Sequence, residues 1–388
     1  MALIIDTIET SEGLDALGPE WEALEKHATP RLPFHTFLWS KLWFENFAES
    51  GSAVRDRLSV RALRTTRGEL VAVAPFVITE RPSRGPLRAR ILQPMGADPY
   101  VTEVRGVLCH PDHEDEAFVT LAAQLRLEHR QWDWFELGGV RQGSKAHQAL
   151  AGKLSAEITD DVPDFFLALT PTWEEFKAGL SRNMKESLRK AHNAPKRDGL
   201  DLQLRVMTTA GESVERFLAL HAARATATDT VFHTDVFQSS QAKGFLRAYT
   251  TALAARGELF VFELVSAGEV VASRLGFLLG DALYLYFSGY RLDMARYSVM
   301  TRTVAEAIQW AIGRGLKTVN LSTGMDVSKT RWNPTEVIFL DLLAVSPAPS
   351  AQWVRRGYLA LDSALKNPAL IESPVGRVLQ RLRRRTSD

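Results

Sequence analysis

The sequence predicts an α/β fold with mixed, largely antiparallel sheets, arranged as two tandem units and ending in a basic amphipathic helix. Three observations carry this. Residues 259–332 order a hairpin, a third strand, a helix and a polar loop. The segment Gly68-Glu69-Leu70-Val71-Ala72 recurs as Gly268-Glu269-Val270-Val271-Ala272, and 388 residues exceed one ordinary core.

In the first half, residues 58–63 and 69–79 read as strands of a hairpin about Arg67-Gly68, and a helix over about 115–129 leads into the strand 132–139. Polar residues and Gly152 interrupt the pattern over 143–161, the expected linker. A strand at 164–169 follows. Thr172, with Glu175 three residues on, forms a capping box for a helix running from Trp173 toward Asn193 and ending before Pro195. A strand at 202–207 and helices over about 212–225 and 239–256 come next. The strands 259–265 and 270–277 then form a hairpin around Ala267-Gly268. An aromatic strand occupies 281–290, and the helix 298–313 carries Val304, Ile308 and Ile312 at a spacing of four. It leads into the strand 318–321 and the loop 322–332, as the helix 115–129 leads into 132–139. One duplicated unit accounts for both halves. Expected domains are 1–150, 160–346 and a tail, 351–388, joined through a stiff linker at Pro347 and Pro349.

Composition narrows the function classes. With 45% hydrophobic and 24% charged residues the chain can bury a full core. Its one cysteine, Cys109, rules out an intrachain disulfide framework or a cysteine-based zinc cluster, fits a reducing cytoplasm, and reads as a small buried hydrophobe. No metal site is expected. The N-terminus lacks the pattern of a secretory signal, and no apolar window reaches the roughly 18 residues of a membrane helix. A net charge of +1 argues against general nucleic-acid binding. It hides an asymmetry: residues 351–388 carry +5, leaving −4 for the rest. In that tail Val375, Val378, Leu379 and Leu382 recur at helical spacing beside Arg377, Arg381, Arg383, Arg384 and Arg385. Such a helix can lie on an anionic membrane surface, dock on its own domain, or clamp a phosphate ligand.

The order of elements over 259–332 resembles the acyl-CoA-binding half of the GNAT acyltransferase superfamily. In detail it resembles the CelD/BcsL-type acetyltransferases of bacterial polysaccharide synthesis, cousins of the FemAB peptidoglycan aminoacyl transferases. The residues carrying it are Gly268-Glu269-Val270-Val271-Ala272, Tyr286-Phe287-Ser288-Gly289-Tyr290, the helix opening at Ser298, and Asp326 with Lys329 and Trp332. The resemblance covers about 163–345. It implies two tandem GNAT-like domains and transfer of an acyl group, with acetyl-CoA as donor and no metal. The acceptor it implies is an amino or hydroxyl group of a sugar, or lipid-linked sugar, in exopolysaccharide synthesis. It also implies a cytoplasmic location, with the tail peripheral on the inner face of the membrane, and raises cyclic di-GMP as a ligand of that tail. The glycine-rich phosphate signature of many GNAT enzymes is missing between Arg291 and Thr303. An aminoacyl-tRNA donor, as in FemAB relatives, and a non-catalytic sensor or scaffold of a polysaccharide machine therefore stay open.

Acyl transfer needs a seat for the donor's pyrophosphate, strands that admit its pantetheine arm, donors for an oxyanion and a base. The start of the helix at Ser298, Val299 and Met300, with Arg296 before it, is the expected phosphate seat. Phe287 and Ser288 lie on the strand expected to receive the pantetheine. Lys329 stands where both related families place a lysine, and can stabilise an oxyanion or an acceptor phosphate. Asp326 can orient it or act as base, and His233 is a second candidate base. A surface salt bridge would account for Lys329 equally. On the helix after Thr172, Arg182, Lys185 and Arg189 share one face and can receive an acceptor phosphate, or form a merely solvated face.

Overall fold

The computed structural model describes residues 3–82, 88–97, 101–226 and 233–364. The Arg377, Arg381, Arg384 and Arg385 of the expected tail helix lie outside them. The chain divides into two compact units: Met1–Val162 with Ile338–Asp388, and Pro163–Val337.

In chain order the first unit begins β1 (Ile4–Ile8), α1 (Ser11–Glu25), α2 (Phe37–Phe47), β2 (Arg55–Leu58), β3 (Val60–Arg64), β4 (Leu70–Ala74), β5 (Phe76–Arg81), β6 (Ala89–Pro94) and β7 (Leu108–Cys109). It continues with α3 (Glu114–Leu127), β8 (Trp134–Arg141) and α4 (Lys145–Leu154). The second unit is entered within β9 (Glu157–Ala168) and contains α5 (Trp173–Gly179), α6 (Arg182–Arg197), β10 (Gln203–Met207), α7 (Glu212–Ala225) and α8 (Ser240–Ala255). Then come β11 (Leu259–Ser266), β12 (Glu269–Leu279), β13 (Ala282–Tyr290), α9 (Val299–Gly313), β14 (Thr318–Thr323) and α10 (Val327–Thr330). The chain returns to the first unit within β15 (Thr335–Val345) and adds α11 (Pro349–Ala364).

The first unit holds a small sheet, β1-β3-β4-β7, and a larger one ordered β15-β8-β6-β5-β2. The expected hairpin about Gly68 exists as β3 and β4, paired Arg61↔Ala74 to Arg64↔Leu70. The run 69–79, however, is two strands in two sheets. Pro75 separates them: it has no N–H to continue the ladder, and its carbonyl instead accepts from the Met95 amide at 2.7 Å. The segment 349–364, expected as a linker and the start of a separate tail, is a helix with Pro349 in its first turn, where the missing N–H costs nothing. Ala351 is buried, and Val354 and Tyr358 pack on Ala89, Ile91 and Trp134. Residues 338–346, expected within the second domain, group with the first unit.

The second unit has one sheet ordered β10-β11-β12-β13-β14-β9, with helices on both faces. Alternation along β11 sends Phe260 and Phe262 to one face, where they meet Trp310 of α9 at ring distances of 4.5 and 5.3 Å. On the other face Phe277 of β12 meets Tyr249 of α8 at 5.3 Å. Each such buried aromatic contributes roughly 1.5–3 kcal/mol. Gly268, at φ +84°, makes the tight β11–β12 turn, as Gly68 at +86° does in the first unit. The correspondence extends further: β6–α3–β8 and β13–α9–β14 are both crossovers between parallel strands.

One long helix expected from Trp173 is two. Gly179 and Leu180 end α5, and Ser181 starts α6, its hydroxyl accepting from the Met184 amide at 3.2 Å. Pro195 does not stop α6. It lies inside the last turn, and the helix closes only at Asp198 and Gly199, whose φ of +73° leaves the helical region.

Candidate functional site

The cleft of the second unit begins with a fault in β-pairing. Arg274 of β12 faces Ser288, but Gly276 faces Leu285, so Tyr286 and Phe287 together oppose Leu275. This bulge bends the end of β13. On its other side β13 runs parallel to β14 only from Ala282↔Thr318 to Tyr284↔Asn320, after which no pairing joins the two strands. Arg274 spans the fork, its Nη2 donating to the carbonyls of Leu285 at 2.9 Å and Leu321 at 3.2 Å. Asn320 anchors β14 at the same level. Its amide donates to the Asp164 carboxylate at 2.9 Å, and its side-chain oxygen accepts from the Ser322 amide at 2.6 Å.

Against this fork lies the start of α9. Ser298 precedes it in the left-handed conformation and gives no side-chain cap; its carbonyl accepts the first helical bond, from Arg302. The first-turn amides thus have no intrahelical partner, and the helix dipole adds positive potential. The polar loop closes the other side. Asp326 caps the short α10 by accepting from the Ser328 amide at 2.7 Å, and the Lys329 ammonium donates to the Thr323 carbonyl. The resulting cavity is about 220 Å³.

Lys329, Asp326, Ser288, Ser298, Val299 and Met300 all line this cavity. Three places in the chain bring them together: β13, the start of α9, and α10 with the loop that enters it. His233 lies beside it, its ring against the Arg224 guanidinium. Two donor-site candidates point elsewhere. Phe287, on the bulge, packs against His221, Phe237 and Tyr286. Arg296 is exposed; its guanidinium lies 4.7 Å over the Tyr297 ring and donates to the Tyr297 hydroxyl at 2.6 Å. The basic face of α6 also lies apart. Lys185 and Arg189 line a separate groove of about 560 Å³ with Trp173 and Arg302, on the opposite face of α9. Lys185 donates there to the Ala178 carbonyl, Arg189 pairs with Glu186, and Arg182 lines neither cavity.

Sequence reasoning missed Arg224, Arg274 and Tyr290, all cleft-lining. Arg224 follows His221 by three residues on α7, so the pair shares a face, a signal available in the spacing. Arg274 inside a strand carries no such sign. Its role appears only when the strands part.

Electrostatics sort the candidates. Burial works to raise the Asp326 carboxyl, but the Ser328 amide and hydroxyl and the Lys329 charge outweigh it and hold the group below the usual carboxylate range. Asp326 is thus a weak base at neutral pH. Burial, reinforced by the neighbouring Arg224 charge, lowers His233 below the ordinary histidine value, leaving it neutral. His221 is also lowered, chiefly by burial, while its Nδ1 meets the Ser288 carbonyl at 3.0 Å. Among the described residues, no group of three or more His, Cys, Asp or Glu side chains could hold a metal ion. No described helix is long and apolar enough to cross a membrane.

Residues 182–330 match the family model of the acetyltransferase (GNAT) domain. Among solved structures the chain is similar to FemX, at 10% identity and a TM-score of 0.61, covering 90% of this chain and 99% of FemX. It is also similar to a conserved protein of unknown function from Bacteroides thetaiotaomicron, at 12% identity and a TM-score of 0.51, covering 88% of this chain and 100% of that one. No curated protein matches. Residues 182–330 are thus similar to a GNAT acetyltransferase domain, and the chain shares its fold with FemX.

Proposed function

We propose that the second unit transfers an acyl group within the cleft between β13 and β14. The observation that supports this most is the fork itself: two parallel strands part beside the uncapped start of α9, with Lys329 and Asp326 at its far side. In this reading the donor's phosphates rest on the first turn of α9, and its extended arm enters the fork. The acyl carbon meets Lys329, whose ammonium stabilises the tetrahedral oxyanion as a fixed charge. His233, neutral at pH 7, takes the proton of the attacking group. Attack is direct, without a covalent enzyme intermediate; collapse of the oxyanion breaks the bond from the acyl carbon to the donor, whose leaving group, a thiolate for an acyl-CoA, departs with a proton as the free thiol.

As donor we propose acetyl-CoA, and as acceptor an amino or hydroxyl group of a sugar intermediate in exopolysaccharide synthesis, following the CelD/BcsL resemblance. A second reading, a FemAB-like aminoacyl transferase, draws support from the likeness to FemX over 90% of the chain. Calorimetric titration with acetyl-CoA and with coenzyme A separates the two. Thr301 lines the cavity in the first turn of α9. Thr301→Glu places a charge that suits the helix dipole but repels phosphate, and should weaken coenzyme A binding at least tenfold in a stably folded protein. Absence of binding by the unmodified protein to millimolar ligand would transfer the assignment to an aminoacyl donor.

A further inference from the structure

The cleft contains a cation whose surroundings call for an anion. Arg224 ends α7 and is brought over the cavity by the close seating of α7 on β13 at Gly289. Among the described residues its hydrogen-bond and ring partners are neutral. Nη1 donates to Ser288 Oγ at 3.0 Å, Nη2 meets the His233 ring, and the guanidinium lies 5.5 Å from the centre of the Tyr290 ring. Its Nε is buried without a hydrogen-bond partner. Among the described residues Arg224 forms no salt bridge; the carboxylate of Asp326, across the cavity, attracts it through space while capping α10. Arginine keeps its charge at neutral pH, and a half-buried guanidinium held by neutral groups bears a desolvation cost that an oxyanion in its fork would offset.

We infer that Arg224 and Ser288 form the seat for a carboxylate or phosphate group on the acceptor, and that this charged group lies only a few bonds from the attacking amine or hydroxyl. The second part follows from size. A cavity of about 220 Å³ holds Arg224, Lys329 and Asp326 in its walls, so a charge bound at Arg224 shares that space with the reacting group. A sugar acid, an amino acid or a sugar phosphate fits; a neutral sugar leaves the guanidinium without an ion pair. This inference rests on the acyl-transfer reading for the word acceptor, but not for the anion seat.

The test follows the Arg224 Nε–H resonance in ¹⁵N-labelled protein, assigned by its loss in Arg224→Lys. If that variant does not fold, the resonance is identified by its selective shift in Ser288→Ala. Acetate, glucuronate, inorganic phosphate and glucose are titrated in turn. The expected result is saturable movement of this resonance with the anions and none with glucose, the stronger of carboxylate and phosphate naming the source. No response to any anion up to tens of millimolar overturns the proposal. So does movement with coenzyme A that abolishes the response to acetate, since Arg224 would then serve the donor. An intact anion response in a protein that binds no coenzyme A would sink the donor assignment and leave the anion seat standing.

Discussion

Gly289 couples the fold to the cleft, and Gly289→Ala tests that coupling. A Cβ built there stands 2.4 Å from the His221 amide nitrogen, 2.5 Å from the Leu220 carbonyl carbon and 2.8 Å from Leu220 Cβ. Ordinary contact begins near 3.4 Å, and two of the obstructing atoms are helix backbone that no rotamer change can move. α7 must therefore retreat by about 1 Å, since close-packed interiors transmit such strain rather than absorb it. Overpacking of this kind costs about 1–3 kcal/mol. The bond from His221 Nδ1 to the Ser288 carbonyl, 3.0 Å in the native protein, is stretched as well, adding about 1 kcal/mol. For a unit of this size that corresponds to a fall in Tm of roughly 5–10 °C. The same retreat draws Arg224, one turn beyond His221, off Ser288. Scanning calorimetry and the Arg224 Nε–H spectrum should therefore change together. An unchanged Tm with an unchanged Arg224 resonance would refute the claim that glycine is what lets α7 seat here and aim the arginine.

Three further outcomes are expected. Lys329→Ala should lower coenzyme A release from acetyl-CoA, assayed with a panel of amino sugars and sugar acids, by about 10²–10³-fold while leaving Tm within a degree or so; full turnover would remove Lys329 from the chemistry. Asn320→Ala loses both bonds that hold β14 at the fork and should cost about 1–3 kcal/mol in urea unfolding, and a midpoint equal to that of the native protein would contradict the anchoring role. In the first unit, burial pushes the His35 imidazole down to about 4 from an ordinary 6.5. Between those values the unfolded chain binds the extra proton, so stability is full above about 6.5 and falls by about 3 kcal/mol as pH drops to about 4. His35→Gln should flatten that limb of the stability profile, and an unaltered slope would show that other groups set it.

Much of the fold was legible in local pattern. The hairpin turn at Gly268 needs a left-handed residue, and the period-two runs beside it need a sheet, so 259–277 reads the same alone as in the structure. The helix at Val299 announces itself by spacing, and the loop that carries Asp326 and Lys329 by its polarity. What local pattern missed depends on partners distant in sequence. Pro75 divides a continuous apolar run between two sheets, which shows only when each half has neighbours. Pro195 fits inside α6 because Gly199, not the proline, ends the helix. Arg296 reads as a cleft cation by position, yet a ring one residue away holds it outside.

By itself the sequence determined the kinds and order of the elements over 202–323 and the paired hairpin turns at Gly68 and Gly268, because these follow from periodicity and turn chemistry within about twenty residues. Only the tertiary structure decided which charges share a cavity. The bulge at Tyr286 and Phe287, the parting of β13 from β14 and the glycine contact with α7 place Arg224, Arg274 and Lys329 around one space, and separate Lys185 and Arg189 from it by the width of α9. Strand register and helix seating are set by packing among segments more than a hundred residues apart, so the charge at a site is a property of the fold rather than of any segment within it.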